Sequence, residues 1–220
     1  MAKTERVNCW DVNGNPFADP QSVGRSEFYK EQVELARKGI EPSKRVEVVQ
    51  IFITDPRNQT VFISRRSEEK DWNGGLFDKT VGGHLQHGDS VEETVAMEMM
   101  QEIAVPCFFP RSHKFVGTYK KLKRQMNVSA LLRHVTTRDV ILTKRFKTED
   151  VKIANRAHLI FGAFAGATNT LDDEAMGVMR FSIPQLQRDL AERPHLYTQE
   201  MHFWIGEYGG LLAQFMDIFA

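Results

Sequence analysis

A glycine pair followed closely by a glutamate-bearing helix, within residues 82–103, constrains this chain more than any other feature. Gly82-Gly83 allows a close backbone approach that a residue with a Cβ does not. Ser90, followed by Glu93, writes a capping box. The hydroxyl accepts a hydrogen bond from a free amide, and the carboxylate reaches back to the cap. A helix is expected from there through Ile103, stopped by Pro106, which disfavours helix in the residue before it. On that helix Glu98 and Glu102 stand four residues apart and share one face, with Gln101 beside them. Like charges so placed repel by roughly a few tenths of a kcal/mol, and a divalent cation removes that cost. Mg²⁺ takes oxygen ligands, commonly one or two carboxylates completed by waters and substrate phosphate. Glu92 and Glu93 read instead as first-turn charges favoured by the helix macrodipole.

The flanking sequence interleaves strands and helices, which argues for α/β or α+β. Val46–Ile53, β-branched and bounded by Asp55-Pro56, reads as a strand. Asn58-Gln59 turns it into a hairpin partner at Thr60–Ser64. Asp71–Gly75 is a loop, and Lys79–Gly83 is short and extended. Ser26 is expected to cap a helix reaching about Lys38, with Gly39 as its stop. Phe115–Lys120, Val128–Thr136, His158–Phe164 and Val178–Phe181 read as strands. Ser182 caps a helix to Glu192, with Pro184 in its first turn. Tyr197–Met216 reads as an amphipathic helix that Gly209-Gly210 breaks. Its run Phe203-Trp204-Tyr208 reads as core or as a homodimer surface.

A chain of 220 residues suits a single domain, 1–220, with a peripheral N-terminal extension at 1–44. The net charge is zero, yet residues 111–156 hold thirteen Lys or Arg against three Asp or Glu. This basic insertion raises the hypothesis of an anionic partner. Aromatics within it are few (Phe115, Tyr119, Phe146), so stacking platforms for nucleic acid are sparse. Solvated faces of a hairpin are the plainer reading. Cys9 and Cys107 are too few for a disulfide framework and read as reduced thiols. The start lacks a signal-peptide core, and no apolar run reaches the roughly 18 residues of a membrane span. A cytoplasmic location is the expectation.

The segment after the glycine pair resembles the Nudix box. Gly83 stands at its opening glycine, Asp89 at its first Glu, Met97-Glu98-Met99 at its Arg-Glu-aliphatic, Gln101-Glu102 at its Glu-Glu, and Ala104-Val105 at its closing Gly-aliphatic. The box is degenerate at Met97, Gln101 and Ala104. Further likeness points to the branch of isopentenyl-diphosphate isomerase and its hydrolase-like relatives. It is carried by Asp11–Asn15, Arg65-Arg66, Lys70, the Trp72–Gly75 loop, and Asp172–Met176. The isomerase itself calls for a cysteine where this chain has Gly82, and for a Glu on the strand that includes Ala157–Gly166.

The resemblance implies a Nudix-type α/β/α sandwich with a mixed β-sheet. It implies Mg²⁺ or Mn²⁺ held by Glu98, Glu102, the Gly83 carbonyl and Gln101. It places Glu102, Glu98 and Glu174 as catalytic candidates, and Arg66, Lys70 and Trp72 against the substrate. The implied activity is hydrolysis of a diphosphate bond in a nucleoside-diphosphate-linked or related small molecule. Met97 and Gln101 favour an alternative, a Nudix-fold binding or sensor module that turns over slowly or not at all. Isomerase-like and nucleic-acid-associated functions rank behind both. Ala104 takes a place where positive φ is expected, and there Ala is about 1 kcal/mol worse than Gly.

Overall fold

The computed structural model describes residues 5–15, 18–168 and 175–219, apart from the Ser112 side chain. Glu174 and the rest of the run 169–174 lie outside the described residues. The elements are β1 (Arg6–Asp11), β2 (Gln21–Gly24), α1 (Arg25–Arg37), β3 (Lys44–Asp55), β4 (Thr60–Arg66), β5 (Phe77–Asp78), β6 (Val81–His84) and α2 (Val91–Ile103). They continue with β7 (Cys107–Phe108), α3 (Phe115–Leu122), β8 (Ala130–Phe146), β9 (Glu149–Ala163), β10 (Ala175–Phe181), α4 (Ile183–Glu192) and α5 (Gln199–Asp217).

The ten strands form one mixed sheet whose main path runs β10-β4-β3-β9-β8-β7. β3 is its axis. It runs parallel to β9 from Arg45–Ala154 to Thr54–Ala163, and antiparallel to β1 on Cys9–Val46. β6 also lies antiparallel on β3, setting Gly82 opposite Gln50 and Gly83 opposite Val49. The turn between β3 and β4 forms as read, but the two strands pair only at Thr54–Val61 and Asp55–Thr60 before they diverge. That divergence opens the sheet beside β6. The alternation of β3 feeds two cores. Val49, Ile51 and Ile53 meet Val95, Met99 and Ile103 of α2. Val46, Val48 and Phe52 meet Phe28 of α1, Leu186 of α4 and Trp204 of α5. The result is a mixed β-sheet covered by helices on both faces, an α/β fold. Among the described residues no helix is long and apolar enough to cross a membrane.

Helix α2 begins at its capping box: Ser90 Oγ accepts from Glu93 N (3.2 Å), and Ser90 N donates to Glu93 Oε2 (2.8 Å). Ser182 and Gln185 repeat the device on α4. The cap of α1 is Gly24, whose N–H donates to Glu27 Oε2 (3.3 Å), so that helix starts just ahead of the expected Ser26. Two expectations change. Phe115–Lys120 is helical, because Phe115, Tyr119 and Leu122 recur at helical spacing and the rings of Phe115 and Tyr119 pack edge-on against Phe219. Helix α5 runs unbroken through Gly209-Gly210. Gly209 is buried under α4, and a Cβ there would come within 3.2 Å of Gln187 Nε2, so packing outweighs the roughly 1 kcal/mol helix penalty of glycine. Trp204, 1% exposed between Phe203 and Tyr208, belongs to the core.

Residues 111–156 supply α3, β8 and the first half of β9, so this basic stretch is continuous with the sheet. The N-terminal stretch joins the sheet too. Asn8 Nδ2 donates to the buried Glu47 Oε2 (2.8 Å), whose other oxygen meets His158 Nε2 (2.8 Å), tying β1, β3 and β9 together.

Ala104, the C-cap of α2, has φ 56°. Ala104→Gly should raise stability by up to about 1 kcal/mol, and Ser90→Ala should lower it by about 1 kcal/mol. Urea melts of both variants check these opposite signs.

Candidate active site

Alternation along β6 turns Gly82 and Gly83 to opposite faces of the sheet. Both faces are already occupied. A Cβ on Gly82 would stand 2.1 Å from Lys79 Cε, and one on Gly83 would stand 1.8 Å from Glu98 Oε1. A Cβ at either position would therefore displace the side chain laid against it. Glu102 reaches the same strand, its Oε1 accepting from Gly82 N–H at 3.2 Å. Two carboxylates from consecutive turns of α2 thus converge on one stretch of backbone.

A cavity of about 610 Å³ opens beside this strand, and Arg66, Lys70, Trp72, Gly83, Glu98 and Gln101 all line it. Glu102 is not among its lining residues and stays on the Gly82 amide. Arg66 Nε donates to the Trp72 carbonyl (3.1 Å), and its Nη1 lies 3.7 Å from Asp78 Oδ2. Arg66 thereby ties the Trp72 loop to β4. The loop is also sewn to the far end of β8: Asn73 N donates to Arg145 O and Arg145 N to Asn73 Oδ1, each at 2.8 Å.

The floor of the cavity was not foreseen from sequence. Lys79 Nζ sits 3.0 Å from Asp78 Oδ2 and 3.5 Å from Glu200 Oε2. Lys144 Nζ, delivered by β8, sits 3.2 Å from Glu200 Oε1. Gln50 Nε2 donates to that same oxygen (3.2 Å), while Gln50 Oε1 is buried with no hydrogen-bond partner. Thr198 Oγ1 donates to Asp78 Oδ1 (3.1 Å). Burial alone would raise the Glu200 carboxyl, but Lys144 and Lys79 overcome it and hold the group well below the usual carboxylate range. Burial likewise opposes the charge on Lys144, and Glu200 reverses this, raising its pKa. His84 is bound to the Tyr29 hydroxyl through Nε2 (2.8 Å). Burial first, then Arg25 and Lys144, push it well below the ordinary histidine value, so it is neutral at pH 7. Position beside the glycine pair was the one sequence signal available for Lys79. Lys144 and Glu200 had none, since 56 residues separate them.

The oxygen donors around Gly83 are two carboxylates, a backbone carbonyl and the amide of the exposed Gln101, while the adjacent His84 ring is held by the Tyr29 hydroxyl. Among the described residues no three His, Cys, Asp or Glu side chains converge as a metal-binding group. This set fits a hard cation that uses one or two carboxylates and leaves its other positions to water and phosphate.

Removing Glu200 leaves two buried ammonium groups with less compensation, so Glu200→Gln should lose about 3–5 kcal/mol of stability at pH 7. A depressed carboxyl stabilises the fold above its unfolded pKa of about 4 and loses that contribution as pH falls through the folded value. Denaturant melts between pH 2.5 and 7 should show this acid limb in the unmutated chain and a shallower one in Glu200→Gln.

Residues 44–159 match the family model described as NUDIX domain. No curated protein matches the chain in sequence. Among solved structures, DR0079 from Deinococcus radiodurans is similar at 16% identity and a TM-score of 0.59, over 92% of this chain and 98% of that one. The NUDIX domain of Shewanella oneidensis NrtR, complexed with ADP ribose, is similar at 14% identity and a TM-score of 0.48, over 82% of this chain and 98% of that one. A bifunctional NMN adenylyltransferase/ADP ribose pyrophosphatase from Francisella tularensis, complexed with AMP and a Mn ion, is similar at 13% identity and a TM-score of 0.48, over 84% of this chain and 48% of that one. The DR0079 likeness is one of fold. The matched span runs from β3 into β9 and takes in the glycine pair, α2 and Lys144, more than half of the chain. The chain belongs to the NUDIX domain family.

Proposed function

We propose that this chain is a divalent-metal-dependent hydrolase of a diphosphate bond in a nucleoside-diphosphate-linked or related small molecule, acting in the cytoplasm. One observation carries the reading: Glu98 lies against Gly83 in the same cavity that holds Arg66 and Lys70. Glu98, Glu102, the Gly83 carbonyl and Gln101 would hold the ion, Mg²⁺ or Mn²⁺. Bound there, the ion supplies neutralisation of phosphate oxygens and a more acidic water. Arg66 and Lys70 bind the non-reacting phosphate, the first with a planar fork and the second as a point charge. Trp72 lines the cavity beside them. Glu102 is the nearest candidate for the base, oriented by the Gly82 amide. Glu174 is a second candidate.

A second reading, a binding or sensor module on the same fold, is favoured by the exposed, neutral Met97 and Gln101 on the acidic helix. Isomerase-like proton transfer finds little support, because the direction a cysteine side chain would take from position 82 is filled by Lys79. Nucleic-acid binding is weakened in the same way. Part of the basic charge of 111–156 is paired within the fold, with Lys144 on the buried Glu200 and Arg156 on Asp139.

Phosphate release should be measured on nucleoside diphosphates and triphosphates, nucleotide sugars, dinucleoside polyphosphates and prenyl diphosphates. Turnover of one class is expected with Mg²⁺ or Mn²⁺, abolished by chelation and restored by the metal. Glu98→Gln and Glu102→Gln should each lower kcat/KM by about two orders of magnitude. Undiminished turnover in both variants contradicts the assignment. Absence of turnover alongside tight ligand binding moves the reading to the binding module.

A further inference from the structure

From Ile103 to Arg138 the chain carries eight Lys or Arg and no Asp or Glu. Six of these cations (Arg111, Lys114, Lys120, Lys121, Lys123 and Arg124) fall in and around α3, and all six are exposed. Among the described residues, the ion pairs of the basic stretch begin only at Asp139. Arg45 and Arg156 pair with Asp139, Lys144 with Glu200, and Lys152 with Glu41. None of these pairs involves the six cations near α3.

Helical spacing divides α3 into two faces. Phe115 and Tyr119 turn inward, their rings packed edge-on against Phe219, and the Tyr119 hydroxyl donates to Phe219 O (3.4 Å). The opposite face presents Val116, Gly117, Lys120 and Lys121, all exposed. A Cβ added to Gly117 would meet open space. Val116 is 53% exposed, and Val128, later in the same segment, is 58% exposed. Arg133 of β8 lies over the Phe115 ring (5.8 Å) and brings a seventh cation to the helix. The segment is docked at both ends. Phe115 and Met126 are buried, and the Met126 carbonyl accepts from Ala165 N (2.7 Å). Cations and an apolar side chain are thus held outward together on a fixed support.

We propose that this face docks on the surface of an anionic phospholipid bilayer, with its lysines and arginines among the headgroups and Val116 in the shallow apolar boundary. Cations clustered at this density on an amphipathic element match an anionic leaflet in charge. Lysine stems lie along apolar surface while their ammonium groups reach the headgroups. The docking is peripheral, since no helix among the described residues is long and apolar enough to cross a membrane. Nucleic acid offers the same phosphate charge, but it uses exposed rings for stacking, and α3 turns both of its rings inward. Nucleic acid also gives Val116 nothing apolar to meet. A second copy would set like charge against like charge. None of the six cations lines the cavity, so the inference is independent of the reaction performed there.

The test is cosedimentation of the full chain with vesicles of phosphatidylcholine alone or mixed equally with phosphatidylserine. Binding is expected to the mixed vesicles only, and to weaken as salt is raised. The combined variant Lys120→Gln, Lys121→Gln, Arg124→Gln should lose about a hundredfold in affinity, at about fivefold per cation. Lys120→Arg with Lys121→Arg should bind as the unmutated chain does. Val116→Ser leaves the charge unchanged and should lose about threefold. Every substituted side chain is exposed, so melting curves of the variants should overlay that of the unmutated chain. A uridine oligonucleotide is the competing probe. No binding to the mixed vesicles at low salt overturns the proposal, as does equal binding to phosphatidylcholine alone or undiminished binding by the folded triple variant. Tighter binding of the oligonucleotide than of the vesicles, unchanged by Val116→Ser, overturns the bilayer and assigns the face to nucleic acid.

Discussion

The bare backbone of Gly82 and Gly83 is the constraint on which the site depends. Strand β6 lies between a lysine on one face and a glutamate on the other, and neither side chain leaves room for a Cβ. Pairing of β6 with β3 makes the strand rigid, and the Gly82 amide anchors Glu102. With the strand fixed, helix α2 has one place to lie, because Val95, Met99 and Ile103 must bury against the β3 face below it. Hydrophobic packing of the helix and placement of its carboxylates are thus the same event. A side chain at position 83 would separate them.

The cavity floor obeys a different rule. Asp78, Lys79, Lys144 and Glu200 are withdrawn from water, and such pairs contribute little net stability because desolvation offsets their attraction. Their value lies in what they do to the cavity. Arg66, Lys79 and Lys144 bring three cationic groups to two buried carboxylates, Asp78 and Glu200. On the floor itself the cations outnumber the carboxylates, while the lining of the whole cavity is balanced in charge. The unpartnered Gln50 oxygen adds an acceptor within that field. A polar ligand is what such a surface accommodates. The same network links α5, at the far end of the chain, to β8 and β5, so ligand contacts and chain-wide packing meet at Glu200.

What could be read in advance follows from how local each signal is. The caps at Ser90 and Ser182 are written within a few residues, and both helices begin where those signals stand. The left-handed Ala104 was legible from the box resemblance. Phe115–Lys120 misled because Val116 and Thr118 are β-branched, while the deciding contacts, to Phe215 and Phe219, lie about a hundred residues away. Gly209 misled for the reverse reason, since close approach to α4 favours the residue that propensity penalises. In the candidate site, Glu98 and Gln101 could be singled out from helical spacing, Arg66, Lys70 and Trp72 from the family resemblance, and all five line one cavity. Lys144 and Glu200 could not, because nothing near either residue tells of the other.

The most direct measurement is a manganese titration of the unmutated chain and of Gly83→Ala, followed by electron paramagnetic resonance. The added methyl leaves β6 and its pairing in place but occupies the position of the Glu98 carboxylate. The account predicts saturable Mn²⁺ binding in the unmutated chain and a loss of about tenfold or more in affinity in Gly83→Ala, with the fold retained. Equal affinity in the two chains would contradict the assignment of Glu98 and Gly83 as the metal-holding centre.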